Sequence, residues 1–87
     1  MGQGEKSQIL TPALCRAARG LLDWTQSELA ERSGISRSTI RDYEAARHPA
    51  HRATESQLRL AFEHGGVTFV PTADGNMAVC QAERVPK

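Results

Sequence analysis

Arg37 and Arg41 stand one helical turn apart in the stretch ISRSTIRDYE. A planar guanidinium can donate two hydrogen bonds to O6 and N7 of guanine, a pairing that tells this base from the others in the major groove of B-DNA. Ser38 and Asp42 share the same edge of the pattern. A serine hydroxyl can meet several base edges. The Asp42 carboxylate either orients Arg41 or accepts from N4 of cytosine. From Arg37 to Arg52 there are four arginines and two histidines against Asp42 and Glu44. The chain of 87 residues carries a net charge of only +1, so the cations are concentrated rather than general. On charge alone, a solvated face and a nucleic-acid footprint fit equally well.

A helix that presents this edge needs an anchored inner face. Ile40 and Tyr43 supply it, and the outward side, Arg37, Ser38, Arg41 and Asp42, carries no apolar residue. Ser36 is the expected N-cap, with Ile35 and Ile40 as a hydrophobic staple across it. Just upstream, TQSELAERSG reads as another helix. Thr25 and Glu28 form a capping box, Leu29 and Ala30 face inward, and Gly34 ends the helix in a left-handed conformation. Two helices joined by a short glycine-containing turn make a helix-turn-helix. Ala30 is small where the helices cross, Gly34 permits the turn, and Ile40 locks the second helix on the first.

The flanks complete a bundle. TPALCRAARGLLDW opens with Thr11 as N-cap and Pro12 at the first helical position. Cys15, Ala18 and Leu22 form its buried stripe, with Leu14 and Leu21 beside it, and the helix should end near Leu22. TESQLRLAFEHGG gives a fourth helix with Thr54 and Gln57 as a capping box. Leu58, Ala61 and Phe62 are its inner face, and Gly65-Gly66 its end. The period then changes to two: VTFV and MAVC read as short strands around the turn-rich PTADGN. Trp24 and Tyr43 fit core positions rather than stacking platforms. A two-stranded hairpin is marginal alone, so Val67, Phe69, Val70, Met77 and Val79 either cover the helices or meet a second chain. A dimer interface is the expectation.

Other chemistries are disfavoured. Cys15 and Cys80 do not make a disulfide framework. His48 and His51 lack the cysteine or carboxylate partners of a zinc site, and Pro49 lies between them, so no metal is expected. No nucleophile motif is present, so the protein is not expected to be an enzyme. Gly2 lacks the residues that a myristoylation signal needs. No apolar run approaches the roughly 20 residues of a membrane helix, and MGQGEKSQ does not resemble a signal peptide. A cytoplasmic protein with reduced thiols, no cofactor and no small-molecule ligand is expected.

The segment TQSELAERSGISRSTIRDYE resembles the Cro and phage-repressor helix-turn-helix family, also called the xenobiotic-response-element type, which is bacterial or phage. The resemblance extends from about Thr11 to Phe62. It implies a mainly α, compact bundle of four to five helices, here with a short C-terminal β-hairpin or strand, that binds operator DNA as a two-fold dimer. It further implies base reading by Arg37 and Ser38, with Arg41 and Asp42 at flanking positions. Gln26 would bind a phosphate, with Ser27 assisting and Ser36 and Thr39 as weaker candidates. Arg19 and Glu44 match a pair that ties the first helix to the recognition helix. The chain departs from the family at Ala46, where glycine is usual. A left-handed alanine is costly, so the recognition helix is expected to lengthen, to about 36–46. The same departure leaves Arg47, His48, His51 and Arg52 either on the DNA backbone or in a plain solvated loop.

The expected organisation is a leader (1–10), a helix-turn-helix domain (11–64), a β extension for dimerisation (65–81) and a tail (82–87). The expected function is a sequence-specific transcriptional regulator on an inverted-repeat operator, more readily a repressor than an activator. The rival reading is an antitoxin-like or adaptor module that uses the same fold to grip a protein.

Overall fold

The computed structural model describes residues 9–81. The greater part of the expected leader and the whole of the tail lie outside them. Four helices are followed by a hairpin: α1 (Pro12–Leu22), α2 (Gln26–Ser33), α3 (Arg37–Glu44), α4 (Arg52–His64), β1 (Val67–Pro71) and β2 (Met77–Gln81). The helix starts are fixed locally. Thr11 Oγ1 accepts from the Leu14 N–H at 3.1 Å, with Pro12 at the first position of α1. Thr25 and Glu28 close a reciprocal capping box on α2. Ser36 Oγ accepts from the Thr39 N–H at 3.2 Å and so caps α3.

Helix ends show where backbone strain is accepted. Gly34 takes φ 79° after α2 and donates its N–H to the Ala30 carbonyl. After α1 the left-handed residue is Asp23, at φ 59°. The expected lengthening of α3 does not occur. The helix stops at Glu44, and Ala46 adopts φ 59° in spite of its Cβ. Two hydrogen bonds explain this: Ala46 N–H to the Tyr43 carbonyl at 2.9 Å, and Arg47 N–H to the Asp42 carbonyl at 3.0 Å. Together they are a Schellman motif, which satisfies carbonyls that a helix end leaves open. Ala46→Gly should therefore raise stability in urea by about 0.5–1 kcal/mol, the relief of left-handed strain less the entropy that glycine adds to the unfolded chain.

The start of α4 also differs from expectation. The helix opens at Arg52, with His51 as an N-cap that makes no side-chain hydrogen bond. Gln57 does not serve a capping box with Thr54. Its Nε2 instead donates to the Ser33 carbonyl at 3.1 Å, which joins α4 to the end of α2. Glu55, in the first turn, accepts from the Tyr43 hydroxyl at 2.9 Å and joins α4 to α3.

The core gathers Leu10, Cys15, Ala18, Leu29, Ile40, Tyr43, Leu58, Ala61, Phe62, Val67 and Phe69. Trp24 stacks on Phe62 at 5.9 Å between ring centroids, with the Arg32 guanidinium 4.5 Å from its own centroid. Gly65 makes room for this stack. A Cβ there would lie 2.7 Å from the Trp24 ring, so the glycine is required by close approach rather than by its dihedral angle. Gly66, at φ 108°, then turns the chain into β1.

The hairpin overturns part of the expected interface. β1 and β2 are antiparallel, with Phe69 opposite Val79 and Val70 opposite Ala78. Val67 and Phe69 are buried in the protein's own core, Phe69 against Phe62 and beneath the Arg59 guanidinium. Met77 and Val79 are half-buried and pack against the same core. Of the five residues assigned to a dimer contact, only Val70 is exposed, at 40%. Strand alternation places Thr68, Val70, Ala78 and Cys80 on the outward face instead.

Candidate nucleic-acid interface

The outward edge of α3 begins at its cap. Ser36, Arg37, Ser38, Thr39 and Arg41 are exposed, and Asp42 is half-buried. Ser36 Oγ accepts from the Thr39 amide and donates to the Thr39 hydroxyl oxygen at 2.8 Å, so both hydroxyls serve the cap. Arg41 Nε lies 3.7 Å from Asp42 Oδ1, a loose and exposed pairing. Such a pair adds little to stability and leaves the guanidinium free to turn. Arg37 forms no ion pair among the described residues. Ser27, on α2, is exposed. Arg47, His48, His51 and Arg52 are exposed around the connection from α3 to α4. Thr39, Asp42, Tyr43, His48, Pro49 and Ala50 line an open cleft of about 140 Å³ beside them. Among the described residues, no group of three or more histidines, cysteines or carboxylates could hold a metal ion.

This edge is held from behind by three residues. Ile40 is fully buried, Tyr43 is buried with its hydroxyl on Glu55, and Glu44 is 5% exposed. Glu44 is the hub. Arg19 donates through Nε to Oε2 and through Nη2 to Oε1, both at 2.8 Å, a two-point pairing that fixes the plane of the carboxylate. Gln26 Nε2 donates to Oε1 at 3.0 Å, and the Cys15 thiol donates to Oε2 at 3.2 Å. Arg16 donates to the Glu44 carbonyl, and Arg19 Nη1 to the Trp24 carbonyl at 2.9 Å. One side chain thus ties α3 to both α1 and α2.

The sequence paired Arg19 with Glu44 but did not reveal the other donors. Gln26, assigned to a phosphate, has a partner inside the protein. Cys15, read as a small apolar core residue, is a hydrogen-bond donor to a buried charge. Its place on the same stripe as Ala18, one turn from Arg19, was the available signal.

The electrostatics follow from this arrangement. Burial alone would raise the Glu44 pKa, but hydrogen bonds from Arg19, Gln26 and Cys15, together with the Arg19 charge, hold it below the usual carboxylate range. Burial, and then Glu44, push the Cys15 thiol well up, so it stays protonated and donating. Burial, and then Glu55, do the same for Tyr43. A depressed carboxylate stabilises the fold fully above its unfolded pKa, about 4.3. That stabilisation is lost as pH falls through the lower folded value. The thermal midpoint should accordingly drop below about pH 4, and Glu44→Gln should flatten that part of the profile.

Residues 16–50 match the helix-turn-helix family model. This segment is similar to helix-turn-helix domains of the Cro/C1 type. The match runs from the middle of α1, through α2 and α3, to Ala50, and so takes in the Glu44 hub and the exposed edge of α3. No curated protein matches the chain. The matched family is a DNA-binding one of the xenobiotic-response-element type and is not an enzyme family. Among the described residues, no helix is long and apolar enough to cross a membrane.

Proposed function

We propose that the protein is a sequence-specific transcriptional regulator, acting in the cytoplasm as a homodimer on an inverted-repeat operator. It represses by occupying DNA that the polymerase needs. The observation that carries this reading is the outward edge of α3: Arg37, Ser38 and Arg41 exposed together, with no apolar residue among them, on a helix anchored by Ile40, Tyr43 and Glu44. An α-helix fits the major groove, where base edges differ. In this arrangement Arg37 and Ser38 read bases, with Arg41 and Asp42 beside them. Gln26, Ser27, Ser36, Thr39, Arg47 and Arg52 face the sugar-phosphate backbone, which positions the helix without carrying sequence information.

Selection of bound duplexes from a random pool, followed by fluorescence anisotropy across a salt series, tests this. The selected site should contain two related half-sites, and its affinity should fall steeply as salt rises, because phosphate contacts release counterions. A pool that yields no common sequence would contradict the reading.

A helix-turn-helix reads half a site, so a pair of copies is needed for a two-fold operator. The outer face of the hairpin is the surface we assign to that pairing, with Val70 at its centre. Val70→Asp should turn a dimer into a monomer by sedimentation and weaken operator binding. Its thermal midpoint should not change, since Val70 is exposed. A dimer that persists in this variant would place the contact elsewhere.

A further inference from the structure

Thr39, Asp42 and Tyr43 on α3 and His48, Pro49 and Ala50 beyond it line the open cleft of about 140 Å³. These residues meet only in the fold, so no spacing in the chain points to them. The left-handed Ala46 turns the chain back on itself, and Pro49 and Ala50 come to lie beside Tyr43. Tyr43, Pro49 and Ala50 give the cleft its apolar walls. Two of its polar groups are already engaged. The Tyr43 hydroxyl donates to Glu55 at 2.9 Å, and the Thr39 hydroxyl oxygen accepts from Ser36 at 2.8 Å.

The Asp42 carboxylate is different. Its side chain is only 34% exposed, and its oxygens accept no hydrogen bond from the described residues. The Arg41 guanidinium stands off at 3.7 Å and is itself 57% exposed. A carboxylate only accepts hydrogen bonds, and partial burial without donors is costly to it. Of the six lining residues, Asp42 is the one that carries a carboxylate. An anion in the cleft would meet that like charge at once, whereas a cation with several N–H donors would satisfy it.

We propose that this cleft is a binding site for a small primary amine: the ammonium pairs with Asp42, and a benzene-sized apolar body lies against Tyr43, Pro49 and Ala50. A cavity of about 150 Å³ holds benzene, so the volume suits one ring on a short stem. Binding should be weak, in the millimolar range, as befits so small a ligand in an open cleft. The inference stands on the cleft alone and does not depend on the DNA-binding reading.

The test is a titration of the ¹⁵N-labelled full chain with phenethylamine, followed by amide chemical shifts. It is run at about pH 8, above the ordinary histidine range, so that His48 does not compete as a cation. Phenethyl alcohol and phenylpropionate serve as probes of the same shape with no charge and with the opposite charge. Phenethylamine should give saturable shifts at Thr39, Asp42, Tyr43, His48 and Ala50. Phenethyl alcohol should bind about tenfold more weakly, the lower end for a hydrogen bond to a charged group, and phenylpropionate more weakly still. Asp42→Asn should fold normally, because the Arg41 pairing is loose and exposed. It should lower phenethylamine affinity about tenfold, to the level of the alcohol, and leave the alcohol unchanged.

Shifts that do not saturate, or that fall outside these residues, would overturn the proposal. Equal affinity for amine and alcohol would overturn it too, since the cleft would then be an apolar surface without charge selection. So would tighter binding of phenylpropionate, or amine binding that Asp42→Asn leaves intact. DNA takes no part in these measurements, so their failure leaves the DNA reading standing. A protein that binds the amine but no duplex would keep the site and lose that reading.

Discussion

Glu44→Ala should cost about 3–5 kcal/mol of folding free energy, the range for removing one partner of a buried ion pair. The substitution strips the acceptor from three donors at once: the Arg19 guanidinium, the Gln26 carboxamide and the Cys15 thiol. The Arg19 side chain is 22% exposed, too little for water to replace a two-point pairing in full. A domain of this size has roughly 5–15 kcal/mol in total, so the loss is a large share of its stability. Urea denaturation followed by Trp24 fluorescence measures the loss. A cost under about 1 kcal/mol, typical of exposed pairs, would mean that the hub is solvated and does not hold α3.

Arg37→Ala should leave folding nearly unchanged, because the side chain is exposed and forms no ion pair among the described residues. Its effect should fall on recognition. Loss of a two-point contact to guanine removes about 1–3 kcal/mol of discrimination, or roughly fivefold to a hundredfold in affinity for the selected site. Binding to unrelated duplexes should change far less. Anisotropy with the two duplexes in parallel separates these effects. A uniform loss across sequences would assign Arg37 to a phosphate rather than a base.

What the sequence revealed was mostly local. Thr11, Thr25 and Ser36 cap their helices because a side-chain oxygen three residues before a free N–H has few competitors. Gly34 ends α2 because its lack of a Cβ leaves little else for it to do. Tertiary choices were harder to see. Gln57 was assigned to Thr54 because they are close in sequence, yet the Ser33 carbonyl is its partner. Ala46 was expected to resist a left-handed conformation, but two backbone hydrogen bonds compensate for its strain, and neither is visible in side-chain types. Alternation in VTFV marked Val67 and Phe69 as buried without saying what buries them, and the answer is Phe62 and the rest of the protein's own core. At the site, the outward edge of α3 could be read from the lack of apolar residues. The partners of Glu44 beyond Arg19 could not, because donors 18 and 29 residues away in the chain, on other helices, give no periodic signal.

The most direct measurement is an amide chemical-shift map of the ¹⁵N-labelled protein titrated with its selected duplex. Shifts should concentrate from Ser36 to Asp42 and at Gln26 and Ser27, with smaller changes from Arg47 to Arg52, while α1 and the inner face of the hairpin stay still. Shifts centred on β1 and β2, with α3 unmoved, would contradict the placing of DNA on the arginine-bearing edge.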